Sequence, residues 1–417
     1  GKKKVIVGRD GRMSGLMVEA LVEQSLLALG IDVVHLGLST TPTVEMAVVF
    51  ENADGGIILT ASHNPKEWNA LKLLNEKGEF VSGEEGKTIL ALAEQEDFIY
   101  APVDAMGELI GDDNSLSKHI QAILEHPLVD IYAIKKANFK VVVDAINSSG
   151  AFTVPALLKA IGVEDVVVLN AEMTGDFAHN PEPLKEHLTE LCDTVVKEKA
   201  HLGIAVDPDV DRLCFVSEDG NLFGEEYTLV AIADYILQYT KGATVSNLSS
   251  TRALRDVTEQ HGCTYFASAV GEVNVVTKMK AEKAVIGGEG NGGIIIPDLH
   301  YGRDALVGIA LFLSHLAKAD TSCSSLRAGY PAYFMSKKKM DLNASLSLST
   351  IFEQLKNEFS AYPMNDVDGL KIDFENEWVN LRSSNTEPIM RIYTEAKTQA
   401  AADALADKII QLILKIQ

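Results

Sequence analysis

The sequence predicts an α/β protein with three similar α/β domains, each built on a mixed, mostly parallel sheet, followed by a C-terminal α+β domain. Two observations predict this fold class. Short continuous runs of β-branched residues alternate with amphipathic helical stretches, a pattern typical of strands that are buried on both faces of a parallel sheet. The same order of strand, loop, helix and strand also recurs along the chain at intervals of roughly 100 residues.

Each predicted repeat begins with a buried strand and ends with a second one. The first repeat has a strand at 4–7, a helix near 17–29 and a strand at 32–36. The second has a strand at 140–144, a helix near 154–161 and a strand at 165–169. The third has a strand at 243–248, a helix near 252–261 and a strand at 264–266.

The C-terminal part of the chain has a different pattern. Helical stretches at 351–359 and 400–417 flank predicted strands at 371–374, 378–381 and 389–393. Helices grouped around such strands are typical of an α+β domain with an antiparallel sheet. We therefore expect four domains, at residues 1–107, 108–217, 218–330 and 331–417.

Composition and charge limit the classes of partner. The 417 residues are 47% hydrophobic and 23% charged, which is ordinary for a globular protein, and the net charge is −22. A surface of this sign repels nucleic acid and anionic membranes, and no apolar run is long enough to predict a transmembrane helix. We expect neither nucleic acid nor membrane as a partner, and the sequence does not predict the oligomeric state.

The four cysteines indicate the cellular compartment. Cys192, Cys214, Cys263 and Cys323 show no Cys-x-x-Cys spacing. In a chain of this length they are expected to be buried thiols rather than a disulfide or zinc framework. This predicts a reducing, cytoplasmic location.

The first candidate loop is small and rich in hydroxyl and amide groups, so it can hold and present a serine. Residues 60–65 read Thr-Ala-Ser-His-Asn-Pro and follow a predicted strand at 56–59. Ser62 therefore stands at the carboxyl end of a strand, where ligands bind in α/β folds. The alternative is a simple polar turn, and His63 is expected to fix the loop rather than act as a base.

The second candidate loop contains three carboxylates. Asp207, Asp209 and Asp211 follow one predicted strand and precede another, with Arg212 beside them. Like charges at this spacing repel, and a hard divalent cation such as Mg²⁺ relieves the repulsion. Arg212 suits a phosphate oxygen.

Two other interpretations of the aspartate loop were considered. An EF-hand loop is excluded, because Arg212 occupies the position that requires glycine and because strands, not helices, flank the loop. An aspartyl-nucleophile loop of a phosphatase of the haloacid dehalogenase type stays open, as does a solvated acidic turn.

Two further loops are rich in glycine or in hydroxyl groups. Residues 287–293 place Glu289 and Asn291 among five glycines between two strands, where the backbone can approach a ligand closely and the two side chains can bind hydroxyl groups. Residues 382–388 combine Arg382 with three hydroxyl side chains and an amide, a composition that suits a phosphate. A hairpin loop and a polar turn are the respective alternatives.

Taken in this order, the four loops resemble those of the α-D-phosphohexomutase superfamily, which includes phosphoglucomutase, phosphomannomutase and phosphoglucosamine mutase. The resemblance covers the whole chain, and its most specific parts are Thr-Ala-Ser-His-Asn-Pro and Asp-Pro-Asp-Val-Asp-Arg. It implies four domains around one central cleft, each of which contributes one loop. It also implies a phosphohexomutase that interconverts hexose 6-phosphate and hexose 1-phosphate.

The resemblance implies a role for each loop residue. Ser62 would carry the transferable phosphate, and together with Asp207, Asp209 and Asp211 it would bind Mg²⁺, while a bisphosphorylated hexose would be the intermediate and activator. Arg212 would contact phosphate and Lys72 would lie near the reacting group, as a base or a phosphate ligand. Substrate would be bound by the remaining residues, namely Glu289, Lys278, Arg382, Ser384, Asn385 and Thr386.

The sequence departs from the family pattern at several points. Many bacterial members have serine and histidine where this chain has Asn291 and Gly293, and some have histidine at the position of Glu272. The form found here resembles the phosphoglucosamine-mutase-like branch, although glucose and mannose phosphates stay open as substrates. Relatives also begin with a strand and a Gly-Ile-Arg-Gly-type loop that supplies an arginine, and this sequence opens after that point. We expect that an N-terminal piece is absent or that the first domain has lost an edge element.

Two functions of other classes stay open on the sequence. A phosphatase with an aspartate nucleophile would use Asp207 or Asp209 and would have no need of Ser62 or of the loop at Arg382. An inactive paralogue that only binds sugar phosphates is the alternative that is not an enzyme.

Overall fold

The computed structural model describes residues 3–341, 348–383 and 389–416. These residues form four sheets. The first three are mixed and mostly parallel with helices packed on them, and the fourth is antiparallel. The predicted fold class is therefore confirmed.

The first sheet has the strand order β4-β3-β1-β2-β5, in which β4 runs antiparallel to β3 and the other neighbours are parallel. Strands β1 and β3 are interior strands of this sheet, and their apolar side chains, such as Ile6 and Leu59, are fully buried. The elements are β1 (Lys4–Arg9), α1 (Gly15–Ala28), β2 (Asp32–Leu38), α2 (Thr41–Phe50), β3 (Gly55–Leu59), β4 (Leu71–Leu74), α3 (Gly83–Gln95) and β5 (Leu109–Gly111).

The second sheet has the order β7-β6-β8-β9, and its edge strand β9 is antiparallel to β8. Every residue of β8 and β9 is buried, which explains why their sequences are continuously apolar rather than alternating. The elements are α4 (Ser115–Glu125), α5 (Ile131–Ala137), β6 (Lys140–Asp144), α6 (Gly150–Ala160), β7 (Asp165–Leu169), α7 (Thr189–Glu198), β8 (Leu202–Val206) and β9 (Leu213–Ser217).

The third sheet has the order β11-β10-β12-β13, again with an antiparallel edge strand, β13. Helix α11 packs in the interior, and Asp304 caps its first turn by accepting hydrogen bonds from the N–H groups of Leu306 and Val307. The elements are α8 (Glu225–Tyr239), β10 (Thr244–Asn247), α9 (Ala253–Gln260), β11 (Tyr265–Ser268), α10 (Glu272–Glu282), β12 (Ile286–Glu289), β13 (Gly293–Ile295), α11 (Ala305–Ala319) and α12 (Cys323–Ala328).

These three sheets share one arrangement of strands. In each, the first strand of the repeat lies between the second and the third, and the fourth is antiparallel at the edge beside the third. The loop between the third and fourth strands is therefore equivalent in all three. It holds residues 60–70 in the first sheet, 207–212 in the second and 290–292 in the third.

The fourth sheet is antiparallel throughout, in the order β14-β18-β17-β16-β15. Its apolar face packs on helices α13 and α14 through residues such as Leu381, Ile392 and Ile409. The elements are β14 (Phe334–Asp341), α13 (Leu348–Glu358), β15 (Met364–Asn365), β16 (Leu370–Asp373), β17 (Trp378–Ser383), β18 (Ile389–Ala396) and α14 (Gln399–Ile416).

The largest apolar cluster extends from the second sheet to the third. It joins Val143 and Ile204 of the second sheet to Phe312 of α11 and Ile294 of the third sheet. Because these residues share one core, the loops at the ends of the two sheets are held at fixed positions relative to each other.

The described part of the chain contains no helix that is both long enough and apolar enough to cross a membrane.

Candidate active site

The aspartate loop between β8 and β9 is held in a tight turn. The N–H groups of Asp211 and Arg212 both donate to Asp207 Oδ1, at 3.1 and 3.0 Å. Val210 at the turn has φ of 62°, a conformation that is uncommon for a β-branched residue. The first residues of two helices fix this loop: Thr41 N–H, at the start of α2, donates to the carbonyl of Asp209, and Ala305 N–H, at the start of α11, donates to that of Val210.

The structure brings Ser62 to the aspartate loop. Its Oγ donates to Asp207 Oδ2 at 2.8 Å, although 145 positions separate the two residues. Ser62 is 8% exposed and adopts a positive φ of 49°, which turns its side chain out of the β3–β4 loop. The predicted serine loop and the aspartate loop therefore form one site.

His63 lies beside Ser62, with its Nδ1 3.5 Å from Ser62 Oγ. Burial, together with the positive charge of Arg212, lowers the pKa of His63 to about 4. The imidazole is therefore neutral at pH 7 and adds no positive charge to the site.

The three aspartates are completely buried and offer oxygen atoms that lie within 4.8 Å of one another. Burial and the neighbouring carboxylates of Asp211 and Asp209 raise the pKa of Asp207 well above its usual range. For Asp211, burial acts in the same direction, but the charges of Arg303 and Lys72 outweigh it and lower the pKa. The cluster therefore concentrates negative charge that needs a counter-ion.

The donor set of the cluster fits a divalent cation. In the described part of the structure, Asp209 Oδ1 and Asp211 Oδ1 are buried and accept no hydrogen bond. Their Oδ2 atoms are already occupied, by Thr41 and Lys72 for Asp209 and by Arg303 and Lys72 for Asp211. Each of these aspartates thus keeps one oxygen free for a hard cation.

Lys72, on β4, extends into the same cluster. Its ammonium lies 2.6 Å from Asp209 Oδ2 and 3.2 Å from Asp211 Oδ2. Burial lowers the pKa of Lys72, but the two carboxylates outweigh this effect and raise it above its usual value. Lys72 is therefore protonated in this arrangement and neutralises part of the carboxylate charge.

Arg212 is buried against Glu182, with Nη1 3.3 Å from Glu182 Oε1. Its Nε is buried and has no hydrogen-bond partner among the described residues. A guanidinium with a free donor next to a cation site can hold an anionic oxygen.

The glycine-rich loop is joined to the aspartate loop by a residue that the sequence analysis did not predict, Arg303. Its Nη1 lies 2.8 Å from Glu289 Oε2, its Nη2 2.6 Å from Asp211 Oδ2, and its Nε 2.9 Å from Glu272 Oε2. The other oxygen of Glu289 accepts from Asn247 Nδ2 at 2.8 Å. No local pattern distinguishes Arg303, which precedes α11 as a single arginine.

Two predicted residues lie apart from these contacts. Asn291 accepts from the N–H of Gly293 and so stabilises its own turn. Lys278 pairs with Glu282 on the same helix at 2.7 Å and lies over the Phe266 ring. Among the described contacts, none joins Lys278 to the aspartate loop.

The fourth loop is described in part. Arg382, at the end of β17, has Nε 2.8 Å from Asp368 Oδ2. Ser384, Asn385 and Thr386 lie outside the described residues, so their predicted contacts with phosphate stay a prediction.

Four domain descriptions of one protein family match the chain in sequence. Three descriptions, "Phosphoglucomutase/phosphomannomutase, alpha/beta/alpha domain" I, II and III, match residues 1–100, 117–220 and 224–333, and the C-terminal domain of the same family matches residues 342–412.

Individual relatives match along nearly the whole chain. A phosphoglucomutase/phosphomannomutase of Thermococcus kodakarensis is 36% identical over 411 residues, covering 98% of this chain and 89% of its own. A probable phosphoglucosamine mutase of Methanopyrus kandleri is 32% identical over 418 residues, covering 99% and 90%. A crystal structure of a phosphoglucomutase/phosphomannomutase family protein from Burkholderia thailandensis superposes with a TM-score of 0.86 at 25% identity, covering 100% and 90%.

The matched domains, the relatives and the meeting of the serine, aspartate and glutamate loops lead to one conclusion. The chain belongs to the phosphoglucomutase/phosphomannomutase family of α-D-phosphohexomutases, which are isomerases.

Proposed function

We propose that the chain interconverts hexose 6-phosphate and hexose 1-phosphate by way of a phosphoserine at Ser62 and a bisphosphorylated hexose. The observation that carries this proposal is the 2.8 Å hydrogen bond from Ser62 Oγ to Asp207 Oδ2. The Ser62 hydroxyl, the proposed nucleophile, thus lies at the edge of the three-aspartate cluster. A phosphoryl group on that oxygen would lie beside the free carboxylate oxygens and beside Arg212.

The cation proposed for the cluster is Mg²⁺, which Asp207, Asp209 and Asp211 would hold together with phosphorylated Ser62. When bound, it would neutralise charge on the phosphoryl group in the transition state. The all-oxygen donor set favours Mg²⁺ over softer metals.

In the first half-reaction, the bond from phosphorus to Ser62 Oγ breaks as a sugar hydroxyl oxygen bonds to phosphorus. The hydroxyl proton goes to a base, and the product is a hexose with two phosphates. The sugar then turns over within the cleft, and its other phosphate returns to Ser62 by the reverse step. Free bisphosphorylated hexose would therefore activate enzyme that has lost its phosphate.

Lys72 is the proposed base or phosphate ligand. Its ammonium is held by Asp209 and Asp211, which raise its pKa. If these two carboxylates were neutralised, Lys72 would lose the interaction that raises its pKa. Lys72 would then be free to accept the hydroxyl proton or to bind a phosphate oxygen.

Substrate would be held from both ends of the cleft. Glu289 is fixed by Arg303 at Oε2 and by Asn247 and Gly271 N–H at Oε1, and it is the proposed acceptor for hydrogen bonds from sugar hydroxyls. Asn291 and Lys278 are proposed to assist there. The phosphate that does not react would be bound by Arg382, Ser384, Asn385 and Thr386.

Glucosamine phosphate is the proposed preferred sugar. The support is the similarity to archaeal proteins named probable phosphoglucosamine mutase, including the one from Methanopyrus kandleri. Glucose and mannose phosphates are the alternatives. We also propose a cytoplasmic location, which agrees with four cysteines that are all free thiols.

The proposal is tested by assaying glucosamine, glucose and mannose 6-phosphates with Mg²⁺ and catalytic bisphosphorylated hexose. We expect 1-phosphate products, the highest kcat/KM for glucosamine phosphate, and no turnover by the Ser62→Ala variant. Release of inorganic phosphate without 1-phosphate would instead indicate a phosphatase. Binding without turnover of any of the three sugars would indicate an inactive paralogue.

A further inference from the structure

The loop that follows β1 contains a buried arginine with every donor occupied. Arg12 is 1% exposed, and its guanidinium has five N–H groups. Nε donates to Asp10 Oδ2 at 3.0 Å, and the other four donate to backbone carbonyl groups. These carbonyls belong to Ser62 at 2.6 Å, Asn64 at 2.7 Å, Pro65 at 2.8 Å and Trp68 at 2.7 Å.

A second path of hydrogen bonds reaches Ser62 from the same loop. Ser62 N–H donates to Thr60 Oγ1 at 2.9 Å, and the Thr60 hydroxyl donates to Asp10 Oδ2 at 2.7 Å. Asp10 Oδ2 also accepts from Arg12 Nε. The Ser62 backbone is therefore fixed at its carbonyl by Arg12 and at its N–H by Thr60, and Asp10 closes the ring.

This ring explains how Ser62 keeps an unfavourable backbone conformation. A positive φ costs a residue with a side chain of the order of 1 kcal/mol or more, so it persists only where surrounding contacts impose it. At Ser62, φ is 49°. Because both peptide groups of the residue are held, its Oγ is directed to Asp207 rather than into the loop.

The same loop also contacts the aspartate loop. Gly11 N–H donates to Ser148 Oγ at 2.9 Å, and the Ser148 hydroxyl donates to the carbonyl of Pro208 at 2.7 Å. Gly11 has no room for a side chain, because a Cβ there would lie 2.9 Å from Ser148 Cα. The short segment Asp10–Arg12 thus lies between the serine loop and the proposed cation site and is bonded to both.

We propose that Arg12, acting with Asp10 and Thr60, is a positioning residue for phosphoryl transfer, because it fixes the backbone that holds Ser62 Oγ against Asp207. The inference rests on the proposed function of Ser62, and it adds three residues to which the four-loop pattern assigns no role. The side-chain donors of Arg12 bond to Asp10 and to backbone carbonyls, not to Ser62 Oγ. Arg12 acts through the backbone of the loop.

The alternative is that Arg12 only stabilises the first domain. The two explanations differ in what a small change should do. If the ring positions Ser62, removal of one hydroxyl from Thr60 should slow the chemical step without changing substrate affinity. If the ring only stabilises the fold, the same change should lower the melting temperature and leave kcat unchanged.

The test compares Thr60→Val with Thr60→Ser, which keeps the hydroxyl. In both variants we would measure kcat, KM for glucose 6-phosphate and glucosamine 6-phosphate, the melting temperature, and the rate at which phosphorylated Ser62 transfers its phosphate in a single turnover. For Thr60→Val we expect that rate and kcat to fall about five- to tenfold, with KM within about threefold of wild type. Thr60→Ser should stay within about twofold of wild type.

Arg12→Lys extends the test, because a lysine has three donors for five acceptors and so cannot complete the ring. We expect kcat to fall about 100-fold. The control is Arg9→Gln, which removes a nearby arginine at the end of β1 whose Nε pairs with Glu19 and whose Nη1 donates to the backbone carbonyl of Asp10 rather than to the Ser62 loop. If Arg12→Lys does not fold, the Thr60 pair decides the question.

Equal transfer rates in Thr60→Val and Thr60→Ser would overturn the inference. So would a fall in melting temperature of Thr60→Val with kcat unchanged. Failure of the proposed function would look different, because the wild-type protein would then show neither mutase activity nor phosphate on Ser62.

Discussion

Replacing Arg303 by methionine should destabilise the third domain and disconnect the glutamate loop from the aspartate loop. The guanidinium is 10% exposed and contacts three carboxylates that are at most 7% exposed. Removing one partner of a buried ion pair costs about 3–5 kcal/mol, because the remaining charge is left where water cannot solvate it.

The three carboxylates should not contribute equally to this cost. Burial raises the pKa of Glu272 to about 8, so this group can take up a proton near neutral pH and avoid most of the penalty. Burial also acts on Asp211 and Glu289, but the charge of Arg303 outweighs it and lowers both pKa values. In the variant, Asp211 keeps Lys72 beside it, whereas Glu289 loses the charge that lowers its pKa and must either stay charged in a buried site or take up a proton. We expect a total loss of about 3–5 kcal/mol.

Differential scanning calorimetry is the suitable assay. The two tryptophans, Trp68 and Trp378, belong to the first and fourth sheets or their loops, so tryptophan fluorescence would not report on the third domain. A loss of this size should lower the transition of that domain by roughly 10 °C or more. Mg²⁺ should restore part of the loss by neutralising Asp211, and Arg303→Lys should lose less than Arg303→Met. A shift below about 3 °C in Arg303→Met, with normal activity, would show that Arg303 does not hold these three carboxylates in the folded protein.

Three further predictions concern other parts of the site. Asp209→Asn should abolish Mg²⁺-dependent turnover, because it weakens the cation site, and should leave the circular dichroism spectrum unchanged, because it relieves repulsion between carboxylates. Activity that resists both this change and a chelator would exclude the metal site. Arg382→Ala should lower kcat/KM about 10- to 100-fold, since it removes a charge-assisted hydrogen bond to the phosphate that does not react. If the loop is only a turn, steady-state kinetics would show a loss below about threefold. The melting temperature should fall as pH rises from about 6.5 to about 10. Burial lowers the pKa of His300, but its partners Asp304 and Glu45 outweigh burial and raise that pKa to about 10 in the folded protein. The stability that the charged imidazole contributes is therefore complete below the pKa of the unfolded chain, about 6.5, and is lost as the pH rises through the pKa of the folded protein. His300→Gln should flatten this dependence, and an identical pH profile would contradict the assignment.

The parts of the fold that follow from local pattern were predictable from the sequence. The buried strands β6 and β8 are continuous apolar runs, and such runs indicate strands covered on both faces. Helix α2 was not predicted, because eight of its ten residues are buried and it therefore lacks a polar face. Its start depends on the side chain of Thr40, which accepts a hydrogen bond from Thr43 N–H.

The candidate site was predictable where its chemistry lies within one loop. Asp207, Asp209 and Asp211 are close in sequence, so their mutual repulsion could be inferred before the fold was known. Arg303 and Arg12 could not be found in this way, because their partners lie far away along the chain. Arg303 is 92 positions from Asp211, and Arg12 is 50 positions from Ser62. Only the fold brings those charges and carbonyls together.

The most direct measurement is the fate of a labelled phosphate. The protein would be incubated with bisphosphorylated hexose carrying labelled phosphate and digested, and the labelled peptide would be identified by mass spectrometry. A second sample, freed of sugar, would be mixed with unlabelled hexose 6-phosphate. We predict label on Ser62 alone and its transfer to sugar as bisphosphorylated hexose within one turnover. Label on Asp207 or Asp209, or its release as inorganic phosphate while Ser62→Ala keeps full activity, would contradict it.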